Sequence, residues 1–307
     1  MKLIFFGTPL FAAESLKDLL SHKVQVAAVV TQPDRPKGRS LALTPSPVKS
    51  LALEKNIPVL QPEKASEEVF LERLRALKGD LFVVVAFGQI LPQKLLDIPR
   101  LGCINVHASL LPKYRGAAPI QRAILAGEKE TGIAIQKMVR QLDAGDVIVV
   151  SKTAISSEMT FGELENRLIE LAKPLLLRVV HSYEKGIPPA ERQNHELATY
   201  ASKLKPEERL IDWRHPSEGI HNQIRAFSPR PGAWCWIEVE KERKKLKILR
   251  SKPVSESGKP GELVSIIGGI VACGDGAIKL IDVQPEGKKA MRAADWLRGQ
   301  KNISFPV

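Results

Sequence analysis

The chain has 307 residues, 44% of them hydrophobic and 26% charged, ordinary globular usage that excludes a disordered or fibrous class. Lysine and arginine number 46 against 34 aspartate and glutamate, and the net charge of +12 favours an anionic partner: nucleic acid, an acidic membrane surface or a polyanionic substrate. No apolar run approaches the roughly 18 residues that a membrane-spanning helix needs.

In chain order, KLIFFG (2–7) reads as a buried strand and PLFAAESLKDLLS (9–21) has helical spacing. A signal peptide is disfavoured there, because Pro9 and Glu14 interrupt the apolar run. VQVAAVVT (24–31) is a second strand, and TQPDRPKGRSLALTPSPVK (31–49) is a long surface loop broken by Pro33, Pro36 and Gly38. VKSLALEKN (48–56) and EEVFLERLRALK (67–78) predict helices, and DLFVVVAFG (80–88) and GCINVHAS (102–109) predict strands. APIQRAILAG (118–127) is a helix that ends on Gly127. Strands recur at TGIAIQKM (131–138) and DVIVVSKTAI (146–155), before a long helix over 161–186. Strands that alternate with helices, and apolar runs as continuous as FVVVAF, imply an α/β fold with a mostly parallel sheet covered on both faces.

Composition changes after residue 187. IPPAERQNHELATYASKLKPEERL is polar, holds three prolines and lacks an apolar period, so 189–206 reads as a linker between a domain at 1–188 and a smaller one at 207–307. AWCWIEVE, KLKILRS, GELVSIIG, GIVACGDG and AIKLIDVQP are short strands punctuated by Gly and Pro, the pattern of a small β-barrel. From Lys205 onward there are 19 Lys and Arg against 13 Asp and Glu. The basic clusters KERKKLK (241–247) and GKKAMR (287–292), with Lys244, Lys245, Lys288 and Lys289, suit a nucleic-acid surface on this domain.

Cys103, Cys235 and Cys273 are too far apart for a C-x-x-C pair and read as buried free thiols; no metal is expected. FFGTPLFA has one glycine, so the G-x-G-x-x-G pattern of a dinucleotide site is absent. The chemistry concentrates at INVHASLLPKYRG. Asn105 and His107 stand two apart and share one face of a strand, at the end where open α/β sheets bind ligands. Asp143, in a turn with Gly145, supplies a carboxylate to orient the histidine or take a proton. An amide donor and an imidazole aimed at one oxygen suit attack on a carbonyl. Ser109 lacks the G-x-S-x-G elbow, and Cys103 lies two residues earlier on the strand, so direct transfer between two substrates is favoured over a covalent enzyme intermediate.

These residues, with TQPDRPKGRS, VVVAFGQILP, INVHASLLPKYRGAAPIQRAI, LDAGDV, IRAFSPRPGAW and GKKAM, resemble the methionyl-tRNA formyltransferase family from end to end and in order. The resemblance implies a Rossmann-like catalytic domain, a linker and an OB-like barrel. It implies formyl transfer from 10-formyltetrahydrofolate to the amino group of methionine on initiator methionyl-tRNA, for translation initiation, by a cytoplasmic enzyme expected to be a monomer with no membrane partner. On this reading Asn105, His107 and Asp143 match the catalytic trio, and Phe87, Gly88, Ile90, Leu91, Ser109, Leu110, Leu111 and Pro112 match the folate-binding segments. Arg35, Lys37 and Arg39 match the loop that meets the acceptor stem, where this chain continues with SLAL in place of further lysines, and Lys113, Tyr114 and Arg115 are placed to meet folate glutamates or tRNA phosphate. Sugar-nucleotide formyltransferases share the His-x-Ser-Leu-Leu-Pro block, but the PDRPKGR loop and the charge of +12 favour tRNA.

Overall fold

A computed structural model describes residues 1–37, 42–300 and 302–307, the side chains of Lys37 and Ala42 excepted. Two compact units emerge: Met1–Pro119 with Thr131–Thr153 and Glu165–Ala201, and Ile120–Glu130 with Ala154–Leu164 and Ser202–Val307.

The first unit is built on strands β1 (Leu3–Gly7), β2 (Val26–Val30), β3 (Arg35–Lys37), β4 (Ala42–Thr44), β5 (Val59–Leu60), β6 (Leu81–Val85), β7 (Cys103–His107), β8 (Arg115–Gly116), β9 (Glu130–Lys137), β10 (Val147–Ala154) and β11 (Tyr200–Ala201). Seven of them form one sheet in the order β10-β9-β7-β6-β1-β2-β5. The pairs β6–β7, β1–β6, β1–β2 and β2–β5 are parallel, and β9 runs antiparallel to β7. The central strands are apolar on both faces: Leu3, Ile4, Phe5 and Phe6 of β1 are fully buried, as are Leu81, Phe82 and Val83 of β6. Helices α1 (Leu10–Ser21), α2 (Pro47–Glu54), α3 (Glu68–Ala76), α4 (Gln93–Leu96) and most of α6 (Phe161–Glu184) belong to this unit, whereas α5 (Pro119–Leu125) falls in the second unit after Pro119. The start of α2 is fixed by Ser46, whose hydroxyl accepts from Lys49 N at 3.0 Å, with Pro47 at the first helical position. Phe70, Leu71 and Leu74 of α3 join Ile4, Phe6, Phe82 and Phe87 in one apolar cluster.

The segment read as a surface loop contains a short hairpin, in which β3 pairs with β4 from Arg35 opposite Thr44. The short elements β5 and α4 are two and four residues long, too brief for their periodicity to show in the sequence.

The second unit holds β12 (Ala233–Val239), β13 (Glu242–Val254), β14 (Leu263–Ser265), β15 (Ile270–Ala272), β16 (Ala277–Pro285), β17 (Met291–Arg292) and β18 (Ile303–Ser304). They form a nearly closed antiparallel, barrel-like sheet in the order β14-β15-β16-β13-β12-β18, with β17 paired to β16. Irregularities after Ile248 and Arg250 let the long β13 bend as it pairs with β16. Helix α7 (Ser217–Phe227) buries Ile220, Ile224 and Phe227, one face at helical spacing, and α8 (Ala293–Arg298) buries Trp296 and Leu297. Trp213, fully buried, meets Phe305 edge to face at 5.7 Å in this core. Among the described residues no helix is long and apolar enough to cross a membrane.

Candidate active site

β7 lies between β6 and β9, and its register sets Asn105 opposite Val84 on one side and Gln136 on the other. Two residues on, His107 stands opposite Ala134. The period-two geometry of the strand thus delivers an amide and an imidazole together at its C-terminal end.

His107 is nearly buried, its side chain 6% exposed, and its Nε2 lies 2.8 Å from the Tyr114 carbonyl oxygen. A carbonyl can only accept, so this bond assigns a proton to Nε2. Nδ1 is left to exchange a proton, and it faces Oδ2 of Asp143 at 3.6 Å.

Asp143 sits in left-handed backbone, φ 47°, in the turn that precedes β10. Oδ1 accepts from Asn105 Nδ2 at 3.3 Å and from Gln136 Nε2 at 2.9 Å, while Oδ2 accepts from the Gly116 amide at 2.8 Å. The glycine two residues later is required by space, since a Cβ on Gly145 would stand 1.8 Å from the Lys137 carbonyl oxygen. The carboxylate is therefore aimed by three donors from three separate segments. The structure brings Asn105, His107 and Asp143 into one site.

The loop after β7 folds on itself. Ser109 has no exposed surface, and its hydroxyl donates to Lys113 O at 2.6 Å, while Lys113 N donates to Leu110 O at 3.1 Å. Ser109 thus shapes the turn, and Leu110, Leu111 and Pro112 stay partly exposed. Of the other expected folate-binding residues, Gly88 (φ 89°) is exposed and Ile90 is 84% exposed. Phe87 and Leu91 pack into the core, Phe87 meeting Phe6 edge to face at 5.5 Å. The Phe87 carbonyl takes bonds from Thr8 Oγ1 at 2.9 Å and Gln32 Nε2 at 3.2 Å, which tie the 86–92 loop to the ends of β1 and β2.

Arg115, expected to face solvent anions, is 1% exposed and turned inward. Its Nε and Nη2 donate to Gln193 Oε1 at 3.2 and 2.7 Å, and Nη2 also reaches His195 Nδ1 at 3.0 Å. Gln136, which donates to the Asp143 carboxylate, and Gln193, which donates to the Asp143 and Gly145 backbone carbonyls, escape a reading of the sequence, because a glutamine in a strand or a polar segment carries no signal of what it contacts in space. Cys103 is excluded as a nucleophile. Its thiol is 5% exposed, lies 3.7 Å from Leu96 O, and is pushed well up by burial, with Asp97 adding to the shift. Among the described residues no group of three or more His, Cys, Asp or Glu is arranged to hold a metal ion.

The expected RNA-facing residues are spread over both units. Arg35 is exposed, 3.9 Å from Glu63; Arg39 and the Lys37 side chain lie outside the described residues. The base of that loop is pinned at Asp34, which takes Lys49 at 2.5 Å and Gln61 at 2.9 Å; the Lys49 bond holds its carboxyl below the usual range. On the barrel, Lys244 pairs with Glu242 at 2.5 Å. Lys245 Nζ lies 4.8 Å from the Trp234 ring and 5.2 Å from the Trp236 ring, and Arg243 lies 4.6 Å over Trp236. Lys288 and Lys289 are exposed, and pairing of Leu246 with Pro285 sets their turn beside the 243–247 cluster.

Residues 1–180 match the formyl transferase family model, and residues 203–301 match that of the formyl transferase C-terminal domain. The chain is 48% identical over 302 residues to the methionyl-tRNA formyltransferase of Protochlamydia amoebophila, covering 97% of this chain and 95% of that protein. It is 46% identical over 301 residues to the methionyl-tRNA formyltransferase of Moorella thermoacetica, covering 97% and 96%. Among solved structures, HypX from Aquifex aeolicus in complex with tetrahydrofolic acid shares the fold, with a TM-score of 0.67 at 17% identity. That match covers 97% of this chain and 47% of HypX, so the chain spans about half the length of that neighbour.

Proposed function

The chain belongs to the methionyl-tRNA formyltransferase family, and from that membership we propose how its residues carry the reaction. The activity is transfer of a formyl group to the free amino group of methionine on initiator methionyl-tRNA. The donor is 10-formyltetrahydrofolate, which supplies a formyl group activated by its attachment to the folate nitrogen. The site suits such a group: Ile90, an apolar side chain 84% exposed, stands next but one to Gly88, and Leu110, Leu111 and Pro112 offer further apolar surface for a flat ring.

Asn105 gives one N–H to Asp143 and keeps the other for the formyl oxygen. His107 is the second donor to that oxygen, through the proton that its Nδ1 exchanges, as the amine adds to the formyl carbon and negative charge develops. Asp143 Oδ2, 3.6 Å from Nδ1, completes a route for the proton that the attacking nitrogen must lose. A carbon–nitrogen bond to methionine forms, the carbon–nitrogen bond to the folate breaks, and the proton passes from the amine to the folate nitrogen. Arg35, Lys37 and Arg39 bear on the acceptor stem, and Lys244, Lys245, Lys288 and Lys289 on backbone phosphate. The enzyme works in the cytoplasm as a monomer.

The observation that carries this reading is the convergence of Asn105, His107 and Asp143 at the end of β7. It is tested by formyl transfer to methionyl initiator tRNA beside an elongator control. Product on the initiator alone, with kcat lowered about 10²- to 10⁴-fold in Asn105→Ala, His107→Ala and Asp143→Ala, is the expected result. Near-normal turnover in any of the three refutes its assigned role. No product from an enzyme that still binds folate moves the acceptor to a sugar nucleotide.

A further inference from the structure

Two residues that fix the candidate catalytic groups stand in left-handed backbone without being glycine. Asp143 has φ 47°, and Tyr114, whose carbonyl receives the His107 Nε2–H, has φ 59°. Such conformations persist only where surrounding contacts over-determine them. In both cases bonds to the turn itself come from the same short stretch of chain, Glu191–Ala201, in addition to the three donors that aim the Asp143 carboxylate.

Gln193 is 6% exposed, and its Nε2 donates to the Asp143 carbonyl at 2.9 Å and the Gly145 carbonyl at 2.6 Å, with Gln136 Oε1 a third acceptor at 3.2 Å. Its own Oε1 accepts from buried Arg115. The amide therefore spans the carbonyls on both sides of the Asp143 turn and is itself oriented by a cation. Six residues on, Thr199 Oγ1 accepts from Tyr114 N at 2.9 Å, and Thr199 O accepts from Arg115 N at 2.9 Å. β11 then pairs with β8 in parallel, with Ala117 N donating to Ala201 O at 2.8 Å, while Glu191 exchanges two 2.8 Å backbone bonds with Val147.

We propose that Glu191–Ala201 is the positioning frame of the catalytic pair: Gln193 sets Asp143, and Thr199 sets Tyr114 and through it the ring and tautomer of His107. Neither residue touches substrate; each acts through another. The proposal rests on the formyl-transfer reading for its kinetic consequence, but its structural consequence stands apart from it.

The test compares Thr199→Val, which loses the acceptor, with Thr199→Ser, which keeps it, beside Gln193→Ala. Thr199 is exposed, so its variants keep the fold even where loss of the buried Gln193 amide does not. The expected result is a kcat about tenfold lower or more in Thr199→Val and Gln193→Ala, with KM for folate and for methionyl-tRNA within about twofold, and wild-type turnover in Thr199→Ser. The ¹⁵N shifts of the His107 imidazole in Thr199→Val should lose the pattern of a proton held on Nε2, while Thr199→Ser retains it. Wild-type kcat and an unchanged imidazole pattern in Thr199→Val overturn the proposal, as does equal damage in Thr199→Ser. Should the wild-type enzyme not formylate methionyl-tRNA, the functional reading falls, and the imidazole shifts alone decide the frame.

Discussion

The Gly116 amide donates to Asp143 Oδ2 across 2.8 Å, from a residue that pairs with Ala201 where β8 meets β11. A Cβ at this position would stand 2.7 Å from Ala201 O, and the backbone has φ +120°. One glycine thus serves both the close approach of β11 and the orientation of the carboxylate.

Gly116→Ala should therefore cost about 1–3 kcal/mol of stability through strain. It should also lower kcat about tenfold or more, because the amide must move off Oδ2 to relieve the clash. Thermal unfolding with steady-state kinetics checks both effects. A variant with native turnover would show that Asp143 needs no donor from Gly116.

The three cysteines should be silent in the native state. Cys103, Cys235 and Cys273 are all buried; desolvation raises each thiol, that of Cys273 to about 12. A maleimide should label none of them in the folded enzyme and all three in denaturant, with formyl transfer unaffected by the reagent. Rapid labelling of Cys103 accompanied by inactivation would reopen a covalent route.

Acid should weaken the second unit through His221. Its ring is 5% exposed, with Nε2 2.8 Å from Ser157 O and Nδ1 3.0 Å from Ser251 Oγ, and burial, the largest influence, depresses its pKa below 6.5. The unfolded state therefore takes up the proton first as pH falls. Stability is full above 6.5 and declines below it, until the folded pKa is passed. The melting temperature followed from pH 8 to 5 should fall on the acid side, and His221→Gln should flatten that segment of the curve. An equal slope in the variant would assign the loss to other groups.

Binding of tRNA should be strongly salt-dependent, and the barrel should carry part of that dependence. Replacing Lys244, Lys245, Lys288 and Lys289 with alanine should lower the slope of log K against log salt by about 0.7–0.9 for each phosphate left without its cation. Fluorescence anisotropy of labelled tRNA over a salt series measures it. An unchanged slope would remove these lysines from the interface.

Much of this architecture is legible in one dimension, because local rules govern it. The buried strands of 3–7 and 81–85 announce themselves as unbroken apolar runs, and the spacing of Asn105 and His107 follows from the pleat of a strand. What the sequence conceals is long-range. Arg115 looks like a solvent-facing cation in a basic loop, yet its partner Gln193 lies 78 residues away. Residues 191–201 look like a tether because they are polar and aperiodic, but the side-chain bonds of Gln193 and Thr199 run to segments between 48 and 85 residues distant, where no periodicity can register them. Phe87 and Leu91, matched to a folate-binding segment by resemblance, spend their side chains on the core, leaving Gly88 and Ile90 as the exposed pair of those four matched residues. Helix α7 is short of apolar residues, and only its stripe of Ile220, Ile224 and Phe227 marks it.

The paired indoles beside Lys245 give the protein an optical asymmetry. Of its four tryptophans, Trp213 and Trp296 are buried in the barrel core, whereas Trp234 and Trp236 are half-buried and stand under cationic side chains. Emission from the first two should be shielded and blue, and emission from the second two should be shifted to longer wavelength by water and nearby charge. A polyanion settling on that face should alter the long-wavelength side of the spectrum and leave the short-wavelength side in place, so the native enzyme carries its own label for the surface proposed to meet RNA.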